Sequence, residues 1–340
     1  MSDCLVSIIC PIYQEEKYIE KCISTILEQD YPIELLEVLF VDGMSLDRTR
    51  EIVYRYSSKY QFIKLLDNPY RVVPHAMNIG YRASKGDVII RIDGHCEYPS
   101  NYVSTLVKYL FKLNADNVGA LWNTMPANDT AICQSIAIAS SHPFGVGASK
   151  HKIGTDKIIE TDTVPFGCYK REVFERIGLF DEDLIRNQDD EFNARLINAG
   201  GKIYLIPHLI IDYIARDKFS KMCKMYFQYG LFKPLVNKKL GSPATVRQFF
   251  PLLFLLGIII GGLLSLFSVS IAMLYFGIIS LYILLTITIS TTNAFKHKQP
   301  LLIFLLPITF FMIHMSYGYG YLVGLFKILT KQPFVVKSNR

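Results

Sequence analysis

The chain has 340 residues, 51% of them hydrophobic, and a net charge of +6. No long Lys/Arg run and no zinc-finger spacing is present, which excludes a dedicated nucleic-acid binder. A mean hydropathy of +0.25 is too high for a chain that is soluble throughout. The excess is concentrated at one end, because residues 1 to about 245 read as an ordinary globular sequence and no charged residue occurs between Phe249 and Lys296.

Taken in chain order, Leu5 to Cys10 is a short apolar run stopped by Pro11 and reads as a buried parallel strand. Helical spacing follows over Glu15 to Gln29, with Tyr18, Ile19, Cys22, Ile23 and Ile26 on one face. Leu35 to Val41 is a second buried strand, stopped at Asp42-Gly43. Asp47 to Tyr56 is predicted as a helix, Phe62 to Leu66 as a strand and Pro74 to Ala83 as a helix. Val88 to Ile92 is the fourth strand, ending at Asp93. Strand and helix alternate in steps of ~25–30 residues, the pattern of βαβ units around a parallel sheet. Right-handed crossovers leave the carboxyl ends of such strands on one edge, so Tyr13, Asp42 and Asp93 are expected to meet in one crevice.

A helix is predicted from Pro99 to about Leu113. Residues 114–165, rich in Asn, Ser, Gly and His, read as loops, with possible disorder around Gly145 to Thr155. Short helices are expected at Val173–Ile177 and Asp189–Ala199, the second ended by Gly200-Gly201, and a strand at Lys202–Ile206. Lys218 to Leu240 is a basic amphipathic helix suited to a membrane interface. Beyond it, Phe249–Phe267, Ile271–Ser290 and Leu301–Phe326 are each near the ~20 residues needed to cross a bilayer. Three passes would put Lys327, Lys331, Lys337 and Arg340 outside, against the positive-inside tendency. A re-entrant or interfacial third segment, with the run Tyr317-Gly318-Tyr319-Gly320-Tyr321 at the headgroup level, would return them to the cytosol. His314 within that segment is costly if it faces lipid, so it is expected to pack against a helix or an acceptor lipid. The resulting organisation is a cytoplasmic α/β domain over 1–215, an interfacial segment over 216–248, a membrane domain over 249–328 and a basic tail over 329–340.

The seven cysteines form no C-x-x-C pair and are odd in number, which fits a reduced compartment. No signal peptide is expected, since Asp3 and the charged stretch from Glu15 to Lys21 interrupt the only early apolar run. In Arg91-Ile92-Asp93-Gly94-His95, an acid and an imidazole two positions apart leave a strand end and can face one ligand, the arrangement needed to hold a divalent cation against a diphosphate. Cys96 beside them reads as a small core residue, with metal ligation as its alternative, and the single Trp122 reads as a core-packing aromatic, with sugar stacking as its alternative. His75 reads as structural, with a hydrogen bond to a donor as its alternative.

Four segments together resemble family 2 glycosyltransferases of the GT-A fold: Ser7 to Glu16, Glu37 to Asp47, Asn78-Ile79-Gly80 through Asp93-Gly94-His95, and Gln188-Asp189-Asp190-Glu191-Phe192 followed by Arg195-Leu196. The Asp-Gly-Met-Ser and Asp-Gly-His variants with an apolar tail are most similar to the succinoglycan-type exopolysaccharide subgroup. The resemblance implies a Rossmann-like, mostly parallel sheet flanked by helices. It implies an inverting transfer of sugar from a nucleotide donor, UDP above others, to a lipid-linked saccharide on polyprenyl diphosphate. The donor side would comprise Pro11, Tyr13, Glu15, Asp42, Asn78, Arg91 and Asp93, with Tyr13 against the base and Asp42 on the nucleoside. Asp93 and His95 would bind Mn²⁺ or Mg²⁺. Asp189 would be the catalytic base, with Asp190, Gln228 and Lys233 on the acceptor side.

The chain departs from the family pattern at Gly43, where a second Asp is usual, and at His95, where the second metal acid usually stands. It also departs at Gln228-Tyr229-Gly230-Leu231-Phe232, which lacks the Arg-Trp of processive synthases and so implies single additions. Two alternatives stand beside this reading: a polyprenyl-phosphate sugar synthase, in which a phosphate attacks and needs no strong base, and a catalytically inactive membrane scaffold of the same fold.

Overall fold

The computed structural model describes residues 4–243 and 245–334. The chain divides into two compact units: residues 4–123 with 154–212, and residues 124–153 with 213–334. Among the described residues the sheet has eight strands, β1 Val6–Ile12, β2 Leu36–Asp42, β3 Ile63–Asp67, β4 Val88–Arg91, β5 Asn117–Met125, β6 Ile159–Glu160, β7 Cys168–Lys170 and β8 Ile203–Ile214. Their order is β3-β2-β1-β4-β7-β5-β8-β6. The first four are parallel, whereas β7 runs antiparallel to both β4 and β5. The helices of the first unit are α1 Ile19–Leu27, α2 Thr49–Lys59, α3 Val73–Ala83 and α4 Tyr102–Lys112. In chain order there follow α5 Ala131–Ser141, α6 Pro143–Val146 and α7 Lys150–Ile153 of the second unit, then α8 Arg171–Ile177 and α9 Gln188–Asn198 of the first.

Alternation along the central strands builds two cores. Ile8, Cys10, Val38, Phe40, Val88 and Ile90 face one side, where α1 contributes Ile19 and Ile23 and α4 contributes Val103 and Leu106. Ile9, Leu39, Val41 and Ile89 face the other, against Met77 of α3, Phe174 of α8 and Phe192 of α9. A parallel strand covered on both faces is apolar throughout, which is why these runs were readable. β1 extends through Pro11 to Ile12, two residues beyond the predicted end. The β4 ladder stops at Ile9, so the missing N–H of Pro11 breaks no bond on that side.

Residues 114–165 are not a run of loops. β5 and α5 form there, and Gly145 to Thr155 takes in the end of α6 and all of α7. The inner half of β5 is buried, but its flanking Asn residues read as turn formers. α5 is built of Ala, Ser, Ile, Cys and a single Gln and has no polar face to contrast with its apolar one, so its period was invisible.

The second unit also contains α10 Phe219–Leu240, α11 Phe250–Leu264, α12 Val269–Lys296 and α13 Leu302–Leu329. Among the described residues, three helical stretches are long and apolar enough to cross a membrane: Val246–Leu264, Val269–Lys296 and Leu302–Leu329. α13 runs unbroken through Pro307 and the Tyr317–Tyr321 run, so the chain does not turn back there as a re-entrant segment would. The glycines serve close packing instead. A Cβ on Gly320 would lie 2.1 Å from the Phe227 carbonyl oxygen of α10, and one on Gly230 would lie 2.0 Å from that of Tyr317. Small residues let helix backbones approach in this way. Gly320→Leu should therefore cost ~1–3 kcal/mol or more through overpacking, read as a lower thermal midpoint of the detergent-solubilised protein.

His314 packs against α6 and α12, with Nε2 2.8 Å from the Phe144 carbonyl oxygen and Nδ1 3.1 Å from the Tyr282 hydroxyl. α10 turns Lys221, Lys224, Lys238 and Lys239 outward and buries Met222, Met225, Leu231 and Phe232. Of the basic tail, Lys337 and Arg340 lie outside the described residues.

Candidate active site

Because β1, β2, β3 and β4 are parallel, their carboxyl ends lie on one edge of the sheet, with Ile12, Asp42 and Asp67 in register across three strands. Non-glycine residues with left-handed backbone mark the loops of this region: Gln14 (φ 55°), Met44 (φ 60°), Arg71 (φ 61°), Phe166 (φ 48°) and Asn187 (φ 61°). Such conformations are costly and persist where the surroundings over-determine them, most often at functional sites.

Asp42 is fully buried. Its Oδ1 accepts from the Ser45 hydroxyl at 2.6 Å, and its Oδ2 accepts from the Ser45 N–H at 2.9 Å and from Arg50 at 2.7 Å. Arg50 also reaches Asp67 at 2.8 Å. The outward-facing charges at this strand end are thus Arg50 and Asp67, which the sequence reading missed. Tyr13 lies over Gly43, where a Cβ would stand 3.1 Å from the ring, so the glycine makes room for the aromatic. Asn78 is buried and ties α3 to the loop before α9: its amide nitrogen donates to the Phe180 carbonyl at 2.9 Å and to Glu182 at 2.8 Å, and its oxygen accepts from the Phe180 N–H at 3.0 Å. The amide expected on the donor side is engaged with the chain itself. His75 stacks on Tyr70 at 4.2 Å and faces Glu182 at 3.4 Å. Cys96 is a core residue, with its thiol pushed upward mainly by burial. Trp122 packs against Phe166.

The loop Asp93-Gly94-His95 follows β4. A Cβ on Gly94 would stand 2.8 Å from Ile12 and 3.4 Å from Glu15, so the glycine lets the loop close onto β1. His95 Nδ1 lies 3.2 Å from a carboxylate oxygen of Glu15, itself buried, whose N–H donates to Thr49 at 2.7 Å. His95 remains 39% exposed and Asp93 21% exposed. A carboxylate on one ring nitrogen fixes the orientation of the imidazole and leaves Nε2 to act as ligand. Among the described residues no three His, Cys, Asp or Glu side chains converge. Asp93 and His95 would offer a cation one carboxylate and one imidazole, with a bound diphosphate and water completing its shell; Mg²⁺ and Mn²⁺ suit the oxygen ligands of such a set.

Arg91, the last residue of β4, joins this loop to α9. Its Nη2 donates to Asp93 at 3.2 Å and its Nη1 donates to Asp189. Asp189 sits in the first helical turn of α9, after Asn187. Its carboxyl is held above the ordinary carboxylate range, chiefly by the partial burial of a side chain that stays 32% exposed, with Asp93 and Asp190 adding to the rise and Arg91 opposing it. Glu191 instead pairs with Arg195, one turn along at 2.8 Å, and Arg195 also donates to the Leu179 carbonyl at 2.9 Å. Asp190 stands beside Asp189 on the same turn, whereas Gln228 and Lys233 belong to α10 in the second unit.

A buried polar network holds α9 against the sheet. Asn193 accepts from Asn117 of β5 at 3.0 Å and donates to Thr163 at 2.8 Å. Asn193→Leu strands those partners and should cost ~1–3 kcal/mol, checked by thermal or denaturant unfolding. Asn193, Phe166, Arg50 and the Glu15–His95 pairing escaped the sequence reading, and only the spacing of Asn193 from Asp189 on one helix hinted at a supporting role.

Residues 7–178, just over half of the chain, match the model of Glycosyl transferase family 2. The chain belongs to this family. It is 31% identical over 335 residues to the dolichyl N-acetyl-alpha-D-glucosaminyl phosphate 3-beta-D-2,3-diacetamido-2,3-dideoxy-beta-D-glucuronosyltransferase of Methanococcus voltae, covering 95% of this chain and 97% of that one. It is 29% identical over 247 residues to the succinoglycan biosynthesis protein ExoA of Rhizobium meliloti, covering 72% and 74%. Among solved structures it resembles a mannosyltransferase of Pyrobaculum calidifontis solved with GDP-Man and Mn²⁺, with a TM-score of 0.55, 19% identity and coverage of 92% and 87%. The fold is that of the GT-A glycosyltransferases, and the protein is a glycosyltransferase with three membrane-capable helices.

Proposed function

We propose that this glycosyltransferase inverts the anomeric centre of a nucleotide-sugar donor, UDP-linked above others, and passes the sugar to a lipid-linked saccharide on polyprenyl diphosphate. In this reading the first unit lies on the cytoplasmic side of the cell membrane and the product enters surface-polysaccharide assembly. The observation that carries it is the Arg91-bridged pair of carboxylates, Asp93 and Asp189, one on the strand-end loop and one on the first turn of α9. Asp189 is the base: it takes the proton of the acceptor hydroxyl as that oxygen bonds to the anomeric carbon. The bond from that carbon to the diphosphate oxygen breaks, and the electron pair leaves with the diphosphate. A direct displacement of this kind converts an α-linked donor into a β-linked product. Asp93 and His95 would hold Mn²⁺ or Mg²⁺, which supplies Lewis-acid stabilisation of the departing diphosphate when bound.

The name of the Methanococcus voltae relative, which specifies a dolichyl-linked sugar phosphate, supports a lipid-linked acceptor. A base held in place by a buried arginine suits a hydroxyl acceptor, because an attacking lipid phosphate needs none. The test is transfer by protein reconstituted in liposomes, using UDP-, GDP- and dTDP-sugars with polyprenyl-diphosphate saccharides and polyprenyl phosphate as acceptors. A β-linked product on the saccharide supports the proposal. Transfer to polyprenyl phosphate alone, or a retained anomeric configuration, contradicts it.

A further inference from the structure

Arg91 was expected on the donor side, but its surroundings leave little of it to receive a donor. It is 6% exposed, and its Nε is buried without a hydrogen-bond partner. Its two terminal nitrogens go to Asp93 and Asp189, residues 2 and 98 positions away in sequence. The guanidinium lies over the Phe166 ring at 5.8 Å, and the backbone N–H of Arg91 donates to the Gly167 carbonyl at 3.0 Å. That shelf is itself tightly determined. Phe166 has left-handed backbone, and a Cβ on Gly167 would stand 2.6 Å from the Asn117 oxygen and 2.5 Å from the Tyr169 ring. A planar cation with a fixed fork of donors, stacked on an aromatic face, is suited to setting the orientation of carboxylates.

We infer that Arg91 is a positioning residue that fixes the carboxylate of Asp189 relative to the Asp93 loop, so that the base and the donor-side loop move as one piece. The inference rests on the assignment of Asp189 as base. Arg91 touches the donor side only through Asp93, at 3.2 Å, and acts mainly through Asp189, so its loss falls chiefly on turnover and little on donor affinity. A base displaced by about an ångström loses roughly 10²-fold in rate.

The experiment uses full-length reconstituted protein and the variants Arg91→Lys, Phe166→Leu and Asp189→Asn. The readouts are kcat, KM for donor and acceptor, donor binding with Mn²⁺, and thermal midpoint. Arg91→Lys keeps the charge and loses the fork, so kcat should fall roughly 10²-fold while donor KM and donor binding stay within about threefold. Phe166→Leu removes the ring beneath the guanidinium together with its packing against Trp122 and Tyr98, so it should lower the thermal midpoint and give a smaller loss of turnover that falls on kcat and not on donor KM. Added to Asp189→Asn, Arg91→Lys should cause little further loss, because the two residues act as a unit. A raised donor KM with unchanged kcat, or losses that multiply in the double variant, overturns the inference. If Arg91→Lys does not fold, Phe166→Leu decides: unchanged kcat counts against the proposal and a selective loss supports it. Normal transfer by Asp189→Asn alone removes the base assignment, an outcome distinct from either.

Discussion

Asp189→Asn is expected to lower kcat by ~10²–10⁴-fold, the usual contribution of a positioned general base, while metal-dependent donor binding persists. The substitution keeps the shape of the side chain and removes its ability to take a proton. It also leaves Arg91 with Asp93 as its remaining carboxylate partner, so a fall in the thermal midpoint is expected alongside. The pH dependence follows from the same surroundings. Burial raises the carboxyl of Asp189 above its ordinary value, and the neighbouring Arg91 reduces the rise without cancelling it. Only the ionised form accepts a proton. Transfer should therefore be full above the raised value and fall as pH drops through it, so the acid limb of kcat lies above the range of an ordinary Asp. Steady-state kinetics across pH on reconstituted protein checks both the magnitude and the limb. Unchanged kcat in Asp189→Asn would remove the residue from the chemistry.

Asp93→Asn and Glu15→Gln act at the other end of the same bridge. Asp93 is the only carboxylate of the proposed cation site, so its loss should weaken Mn²⁺-dependent donor binding by roughly 10²-fold and leave the weak binding in EDTA unchanged. Glu15 touches the cation only through His95, holding the ring by Nδ1 at 3.2 Å. Glu15→Gln should raise the apparent Kd for Mn²⁺ by ~10–100-fold, the common cost of losing a carboxylate behind a ligating imidazole. Equal donor binding with and without metal in both variants and in the parent chain would dismiss the site. Isothermal titration with Mn²⁺ at fixed donor distinguishes these outcomes.

The parallel half of the fold was legible because its strands are buried on both faces and punctuated by Asp and Gly. Leu36 to Asp42 and Val88 to Arg91 are buried throughout. α5 was not legible, because a helix of small residues packed against α13 has no amphipathic contrast to read. Within the site, the residue types were readable and their partners were not. Asp93, His95 and Asp189 stood out by motif, yet Arg91 meets Asp189 across 98 residues and Glu15 meets His95 across 80. Such pairs depend on the crossovers that bring loops to one edge, and no local pattern records them. The same holds for Asn78, whose partners Phe180 and Glu182 lie more than a hundred residues away. Asp42 was placed at the correct strand end, but Ser45 and Arg50, which occupy its oxygens, were not anticipated as its partners.

The most direct measurement is donor binding to the detergent-solubilised chain, using UDP-, GDP- and dTDP-sugars with Mn²⁺, with Mg²⁺ and with EDTA. Binding of one nucleotide sugar that requires the metal, and that Asp93→Asn abolishes, is the predicted result and names the donor. A folded protein that binds none of them, or binds equally in EDTA, would contradict the account.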